Sequence, residues 1–276
     1  RNDSIANEDE QVYRTVQVAR EVMGSIGYNY DYDVMGNLTR IRSGVRTSGT
    51  TSINNDRTDA TYVYDSKGQL VRENNYVSGK TIAYEYDTGG NILNKKIYAY
   101  TTASELGSLT PTETITYTYD SSWKDQLLSY DGETITYDAI GNPLNYRGAS
   151  LDWQGRELKS LSKDGTTISY TYGTDGLRTK KTVGNEVHEY YYSGGQLMYE
   201  KRGSKEFYYT YDFDGGLSRI SYYSGSGNPV LYYPVTNVRG DVQALFDSSG
   251  NLSVEYTYDG FRYCGYPGRR RRVRAG

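Results

Sequence analysis

The stretch that decides the fold reads Tyr62-Val63-Tyr64-Asp65-Ser66-Lys67-Gly68-Gln69-Leu70, and we call it the tyrosine–aspartate motif. Its tyrosines are two residues apart, so both rings lie on one face of a β-strand. The aspartate can close a turn by bonding the backbone two residues on, and the glycine supplies a positive φ there. The leucine then opens a returning strand. The motif therefore predicts a strand, a tight turn and a second strand.

The motif recurs along the chain at irregular spacing. Further copies lie at 30–38, 84–92, 117–127, 135–144, 170–177, 190–197, 209–217 and 256–261. A hairpin-sized unit cannot bury its own face, so neighbouring copies must pair or stack. Hairpins in a sheet also tolerate insertions of variable length, because loop-closure entropy grows slowly. The repeat predicts an all-β fold, in which an array of hairpins extends one curved antiparallel sheet.

The aspartates and glycines of the motif recur in one structural position, which is typical of turn residues rather than catalytic ones. We predict turns at 65–68, 87–90, 138–142 and 248–251. The predicted turn residues are Asp33, Gly36, Asp65, Gly68, Asp87, Gly90, Asp120, Asp138, Gly141, Asp212, Gly250 and Asp259.

Composition supports a wet, tyrosine-rich sheet. The chain has 33 tyrosines but only 4 phenylalanines, and its mean hydropathy is -0.77. A tyrosine buries its ring while its hydroxyl needs a partner or water, so we expect the hydroxyls to reach a wet surface or a cavity. The formal net charge is -3 although residues 269–274 include five arginines, so the rest of the chain is more acidic. This balance argues against a nucleic-acid partner. No apolar run is long enough to span a membrane.

The sequence contains little catalytic chemistry. Its one histidine, His188, cannot form a multi-histidine metal site, and its one cysteine, Cys264, stands in the basic end of the chain. The abundant aspartates leave open the alternative of a carboxylate pair that hydrolyses glycosidic bonds. The Asp-x-Asp pairs could bind calcium, but no complete calcium-binding loop follows them. We predict that the chain is not an enzyme and that it has no cofactor and no metal.

Two tryptophans are the better functional lead. Trp123 and Trp153 stand in degenerate copies of the motif. Their planar rings could stack on a sugar or a peptide, and alternatively they fill gaps in the sheet packing, which is the interpretation we favour.

Taken together, these copies resemble the YD repeat of the bacterial rearrangement-hotspot (RHS) family, which the animal teneurins share. The resemblance covers the chain from Tyr28 to Asp259, and the segment 232–252 is similar to the stretch before the RHS-associated core. After Asp259 the chain departs from the family pattern, so the resemblance transfers no catalytic residue.

The resemblance implies a segment of a hollow β-shell in a secreted or cell-surface protein. Its partners would be the flanking YD repeats, the C-terminal core and a toxin or other polypeptide cargo. We expect three regions: a partial preceding repeat unit at 1–27, the YD-repeat segment at 28–260, and a divergent, disordered basic tail at 261–276. The chain is then an excerpt of something longer.

Two functions remain open at this point. One is a structural, non-catalytic shell segment that encloses cargo. The alternative is a cell-surface adhesion module that binds carbohydrate or protein. The first predicts tyrosines on a concave inner face, and the second predicts Trp123 or Trp153 in an exposed groove.

Overall fold

A computed structural model describes residues 17–23, 26–47, 49–50, 52–236, 240–256 and 258. Over these residues the chain forms β-strands and turns and contains no helix, so the predicted all-β class is confirmed. Strand pairing runs antiparallel throughout the recorded ladders, as expected for successive hairpins. Two units divide the chain, Arg1–Thr61 and Tyr62–Gly276.

The first unit carries four strands that pair in sequence order. They are β1 (Arg20–Met23), β2 (Ile26–Tyr32), β3 (Leu38–Arg46) and β4 (Ile53–Tyr64), the last of which runs past Thr61. Tyr30, on β2, is buried. Its neighbour on the same face, Tyr28, stacks its ring on Tyr30 at 6.5 Å between centroids. The spacing of two residues therefore places both rings together, as the alternation of a strand requires.

The second unit begins with six strands, again in sequence order. They are β5 (Leu70–Asn75), β6 (Lys80–Tyr86), β7 (Ile92–Ala99), β8 (Glu113–Tyr119), β9 (Leu127–Tyr130) and β10 (Glu133–Thr134). Ile82, Tyr84 and Ile97 are buried on β6 and β7. Glu73 and Thr81, which are polar, are the largest fully buried side chains.

Twelve further strands make a separate sheet in the second unit. They are β11 (Asn145–Tyr146), β12 (Ala149–Gln154), β13 (Glu157–Lys163), β14 (Thr166–Tyr172), β15 (Arg178–Val183), β16 (Glu186–Ser193), β17 (Gln196–Arg202), β18 (Lys205–Tyr211), β19 (Leu217–Tyr223), β20 (Val230–Thr236), β21 (Val242–Asp247) and β22 (Leu252–Glu255). Each strand pairs with the next along the chain.

The break after β10 differs from the single sheet that we expected. Between β10 and β11 the only described pairing is an isolated bridge from Tyr137 to Pro143. Proline has no backbone N–H, so it cannot donate to a ladder. The Asn145 side chain makes hydrogen bonds across this break. Its amide oxygen accepts from the backbone N–H and the hydroxyl of Thr136, and its amide nitrogen donates to the carbonyl of Thr134. A side chain therefore joins strands where the backbone ladder stops.

Candidate functional site

The turn of the motif is held by its aspartate. In the copy at 84–92, Asp87 Oδ1 accepts hydrogen bonds from the backbone N–H of Gly89 and Asn91, at 2.8 and 2.9 Å. Asp87 Oδ2 accepts from the side-chain amide of Asn91. These hydrogen bonds hold the pKa of Asp87 below its usual range, and the bond from the Asn91 side chain has the largest effect. Gly90 has φ +98°, a conformation that residues with a Cβ rarely adopt.

The same geometry recurs at the other predicted turns. Asp33, Asp65, Asp138 and Asp212 each accept two backbone N–H groups through Oδ1, and Gly36, Gly68, Gly141 and Gly250 have positive φ. Asp120 accepts the N–H groups of Ser122 and Trp123. The remaining predicted turn residue, Asp259, lies outside the described residues, as do Cys264 and the tail.

Our list of turn residues missed Asp247, which bonds the N–H groups of Ser249 and Asn251 in the same way. Its Asp-x-x-Gly-Asn spacing was the available signal. Conversely, Gly173 occupies the aspartate position in one copy, and the backbone bond from its N–H to Leu177 is kept at 2.8 Å. In this copy the carboxylate of Asp175, two residues further on, accepts the backbone N–H of Leu177 at 3.0 Å, so a carboxylate bonds the turn from a different position.

In eight copies of the motif the second tyrosine connects its hairpin to the preceding strand. The hydroxyl of Tyr86 donates to the carbonyl of Leu70, the first residue of β5, at 2.6 Å. Equivalent bonds run from Tyr32 to Val18, Tyr119 to Ile92, Tyr137 to Leu127, Tyr172 to Leu158, Tyr192 to Arg178, Tyr211 to Leu197 and Tyr258 to Val242. We call these bonds the tyrosine clamps. Each of these hydroxyls donates to a backbone carbonyl, and those of Tyr32 and Tyr192 do so at exposed positions.

A β-bulge accompanies the clamp. The register shifts by one residue at Tyr86, between its pairing with Ile92 and that of Glu85 with Asn94. The same shift occurs at Tyr32, Tyr119, Tyr172, Tyr192 and Tyr211. A bulge bends the strand and re-aims its side chain. This local bend accompanies the hydroxyl's contact with the neighbouring strand end.

The two tryptophans lie in different surroundings. Trp153 takes the position of the second tyrosine, with the same register shift, and its indole N–H donates to the carbonyl of Pro143 at 2.7 Å. Trp153 therefore acts as a clamp in the second sheet. Trp123 lies in the turn between β8 and β9, and 65% of its surface is exposed. Trp123 remains the candidate for stacking on a ligand.

A buried carboxylate that is bonded by an arginine and a tyrosine hydroxyl was not predicted. Glu200, on β17, is only 3% exposed. Arg202 donates to it from Nε and Nη2, at 2.6 and 2.9 Å, and the Tyr209 hydroxyl donates to Oε2 at 2.9 Å. Burial acts to raise the pKa of Glu200, but these bonds outweigh it and hold the pKa below the ordinary value. A buried charge needs such partners, so the cluster is satisfied internally.

His188 belongs to this cluster. Its Nδ1 lies 3.7 Å from Glu200, and its Nε2 lies 3.1 Å from Glu186. The sequence analysis assigned no polar partner to His188, and the structure places these two carboxylates beside it. The signal in the sequence was weak, because the contact between His188 and Glu200 joins two strands whose register the motif alone does not set.

A partly exposed row of tyrosines crosses β16 to β19. The ring centroids of Tyr191, Tyr199, Tyr208 and Tyr223 are 5.3, 4.7 and 5.6 Å apart in turn. Tyr191 and Tyr208 are 53% and 43% exposed. Burial, with the nearby Glu206 carboxylate, raises the pKa of Tyr199 to about 12. We call this row the tyrosine ladder.

Metal and membrane sites have no support in the part of the chain that the structure describes. No group of three or more His, Cys, Asp or Glu side chains there could hold a metal ion. Nor do these residues include a helix that is long and apolar enough to cross a membrane.

Comparison with known proteins points to toxin-related repeat proteins. No protein-family model matches the chain. The chain is 30% identical over 202 residues to the tRNA3(Ser)-specific nuclease WapA of Bacillus spizizenii, and 29% identical over 207 residues to the tRNA nuclease WapA of Bacillus subtilis. Each match covers 71% of this chain, and the chain spans about 8% of the length of these relatives.

Two solved structures share the fold. A TcdB2-TccC3 crystal structure matches with a TM-score of 0.52 at 18% identity, covering 87% of this chain and 15% of that one. A Tc holotoxin pore from Photorhabdus luminescens matches with a TM-score of 0.51 at 16% identity, covering 85% and 14%. At these identities the likeness shows the fold alone, which is RHS-like.

Proposed function

We propose that this chain is a structural, non-catalytic segment of an RHS-type shell that encloses a C-terminal toxin or other polypeptide cargo. The observation that carries the proposal is the repeated combination of aspartate turn, bulge and tyrosine clamp, which joins each hairpin to the one before it. Such an array extends a sheet by repetition. The much longer relatives named WapA support a place in a larger protein of this kind.

The nuclease activity in the names of the relatives is not carried over to this chain. The chain spans about 8% of their length. The polar groups that the structure brings together around Glu200 are satisfied by one another. We propose that the chain works in a secreted or cell-surface protein, with further YD hairpins and the cargo as its partners.

A graft tests the proposal. The segment of Bacillus subtilis WapA that matches this chain is replaced by this chain, and the intact chimera is treated with trypsin. We expect the C-terminal portion to resist cleavage as in the parent protein, because the grafted hairpins continue the strand pairing. A Gly/Ser segment of equal length is the matched control and should expose that portion. Equal protection by both grafts, or exposure in a chimera whose graft is folded, would reject the proposal.

A second candidate is an adhesion module that binds carbohydrate or protein. The exposed Trp123 and the tyrosine ladder favour it, because aromatic rings stack on sugars and anchor interfaces. Glycan-array binding that disappears in Trp123→Ala or in Tyr191→Ala/Tyr208→Ala, while the variants melt as the parent does, would support it. An array without binding by the folded chain would remove carbohydrate binding as its function.

The absence of catalysis is itself a prediction. His188→Ala and Cys264→Ser should leave any measured function of the folded chain intact, because the proposed role needs neither a nucleophile nor a base. Activity is compared with the parent chain in hydrolase and nuclease assays. A reproducible activity that either substitution abolishes without lowering the melting temperature would overturn the proposal.

A further inference from the structure

Two tyrosines of the tyrosine ladder face one another across neighbouring strands. Tyr199 on β17 lies directly opposite Tyr208 on β18. Their ring centroids are 4.7 Å apart, and the ring planes are tilted by 44° to one another. Side chains directly opposite on one face of an antiparallel pair reach each other, and at this distance the two rings are in contact. The pairing of the strands therefore keeps these two rings together.

One carboxylate receives the hydroxyls of both rings. The Tyr208 hydroxyl donates to Glu206 Oε2 at 3.1 Å, and the Tyr199 hydroxyl also hydrogen-bonds to Glu206. Because both hydroxyls converge on this carboxylate, the ring carbons beside them lie on the same side of the pair and near one another. Burial raises the pKa of Tyr199 to about 12, so its phenol keeps its proton at neutral pH and can donate it to Glu206.

This arrangement suits the removal of one electron from each ring. A phenol that loses an electron also loses its proton, and a base within hydrogen-bond reach can accept that proton. Glu206 is within this reach of Tyr208. The phenoxyl radical that results has unpaired electron density on its oxygen and on the carbons beside it. Two such radicals combine where those carbons are close, which is the arrangement of Tyr199 and Tyr208.

The pair is also open to an oxidant in solution. Tyr208 is 43% exposed, and Tyr191, the next ring of the ladder beyond Tyr199, is 53% exposed. The chain has one cysteine, Cys264, so it cannot form an internal disulfide. A covalent link between strands of this sheet therefore has to use another side chain.

A second tyrosine pair is also directly opposite but is less suited to oxidation. Tyr117 on β8 faces Tyr130 on β9, with ring centroids 5.4 Å apart and the ring planes at 86°. The Arg147 guanidinium lies over the Tyr130 ring at 5.1 Å. A cation beside a ring opposes the positive charge that develops when an electron leaves that ring. This pair is therefore an internal comparison for Tyr199 and Tyr208.

We propose that Tyr199 and Tyr208 form a site of oxidative cross-linking, at which a carbon–carbon bond joins the two rings and Glu206 accepts the phenolic protons. The oxidant is hydrogen peroxide that acts through a haem peroxidase. The bond fixes β17 to β18 covalently on the face that carries the tyrosine ladder. The proposal concerns a modification of this face and holds whether or not the chain encloses cargo.

The cross-link forms in balanced steps. The peroxidase takes one electron from each ring, and each phenolic proton passes to Glu206 and then to water. The two radicals couple through the carbons beside their hydroxyls, and the two hydrogens on those carbons leave as protons while the oxygens regain protons, which restores both phenols. In total two C–H bonds break and one C–C bond forms, and the peroxide takes up two electrons and two protons to become two molecules of water.

Mass spectrometry of the full chain tests the proposal after treatment with a haem peroxidase and hydrogen peroxide. The monomer band is digested with trypsin, which places Tyr199 in peptide 182–201 and Tyr208 in peptide 206–219. We expect these two peptides to be joined with the loss of two hydrogen atoms, and fragment spectra to locate the bond at the two tyrosines. The yield should exceed that of the Tyr117–Tyr130 product in the same digest by about tenfold or more.

Variants of the ladder separate this site from general oxidation of exposed tyrosines. Tyr199→Phe and Tyr208→Phe should each abolish the product, because phenylalanine has no phenolic hydrogen to lose. Tyr191→Phe is the matched control, since it removes another exposed ring of the ladder but keeps the pair, and it should retain the product. Circular dichroism establishes that each variant is folded before the reaction.

The carboxylate has its own test and control. Glu206→Gln should lower the initial rate of cross-linking by about tenfold, because an amide does not accept the proton. Glu189→Gln is the matched control, because Glu189 and Glu206 lie on one face, on either side of Lys201, and it should change the rate by less than about twofold.

Three results would overturn the proposal. The first is a digest in which peptides 182–201 and 206–219 are not joined, or are joined only in the dimer band. The second is a product that persists in Tyr199→Phe or in Tyr208→Phe. The third is an equal rate in Glu206→Gln and Glu189→Gln, which would remove Glu206 from the site.

Discussion

Single residues of the motif act through conformations that few other residues can adopt. Gly90 has φ +98°, and a Cβ added there would lie 2.9 Å from Gln69 Nε2. Gly250 has φ +79° with open space around it. The first position combines backbone strain with a close approach, and the second isolates the backbone strain.

Gly90→Val and Gly250→Val should each lower the free energy of unfolding by about 1–2 kcal/mol, because a left-handed backbone is strained with a branched side chain. Gly107→Val is the control, since Gly107 has no positive φ and a Cβ added there would meet no atom within 4 Å. Denaturant unfolding measures all three variants. Stabilities equal to the parent for Gly90→Val and Gly250→Val would contradict the role assigned to these glycines.

The hairpin is the element that the tyrosine clamp completes. In the copy at 84–92, the Tyr86 hydroxyl reaches the first carbonyl of β5, on the strand before its own. A clamp at this point couples one hairpin to the next without adding a ladder hydrogen bond. Trp153 shows that the position needs an aromatic donor rather than tyrosine itself, because its indole N–H contacts Pro143 in the same way.

Tyr86→Phe removes the donor and keeps the ring. We expect a loss of about 0.5–1.5 kcal/mol in the free energy of unfolding, the usual contribution of one hydrogen bond. Tyr100→Phe is the control, because the Tyr100 side chain makes a ring contact with Tyr76, and its hydroxyl has no hydrogen-bond partner among the described residues. Hydrogen exchange at the β5–β6 pairing should also increase in Tyr86→Phe alone. Indistinguishable stability and exchange in the two variants would show that the clamp contributes nothing.

The many half-buried tyrosines give the whole molecule a dependence on alkaline pH. Burial is the largest cause of the raised pKa of Tyr86 and of Tyr117, each about 12. In an unfolded chain tyrosine ionises near pH 10. Between these values the unfolded state has lost protons that the native state retains, so stability falls as pH rises.

The melting temperature should therefore stay level from about pH 8 to about pH 10 and fall towards about pH 12. An ultraviolet titration of tyrosinate should show a group of tyrosines that ionise late in the native chain and near pH 10 in denaturant. If every tyrosine of the folded chain ionised near pH 10 while the chain remained folded, the burial described for these rings would be wrong.

The sequence by itself determined where strands and turns lie. Alternation over two residues, aspartate at the turn and glycine at positive φ are local properties, so the turns at Asp65, Asp87 and Asp138 could be predicted without knowing any neighbour. The all-β class followed from the same signals, because a repeated hairpin has few ways to bury its face.

Only the tertiary structure decided what those elements contact. The clamp partners, the break between the two sheets, the burial of Glu200 and the contact of His188 with Glu200 all depend on which residues of different strands lie opposite one another. A bulge of one residue changes that register, and the residues of a single motif do not determine how far the next strand is shifted. Pairing between strands is a property of two segments together, which is why one segment read alone does not reveal it.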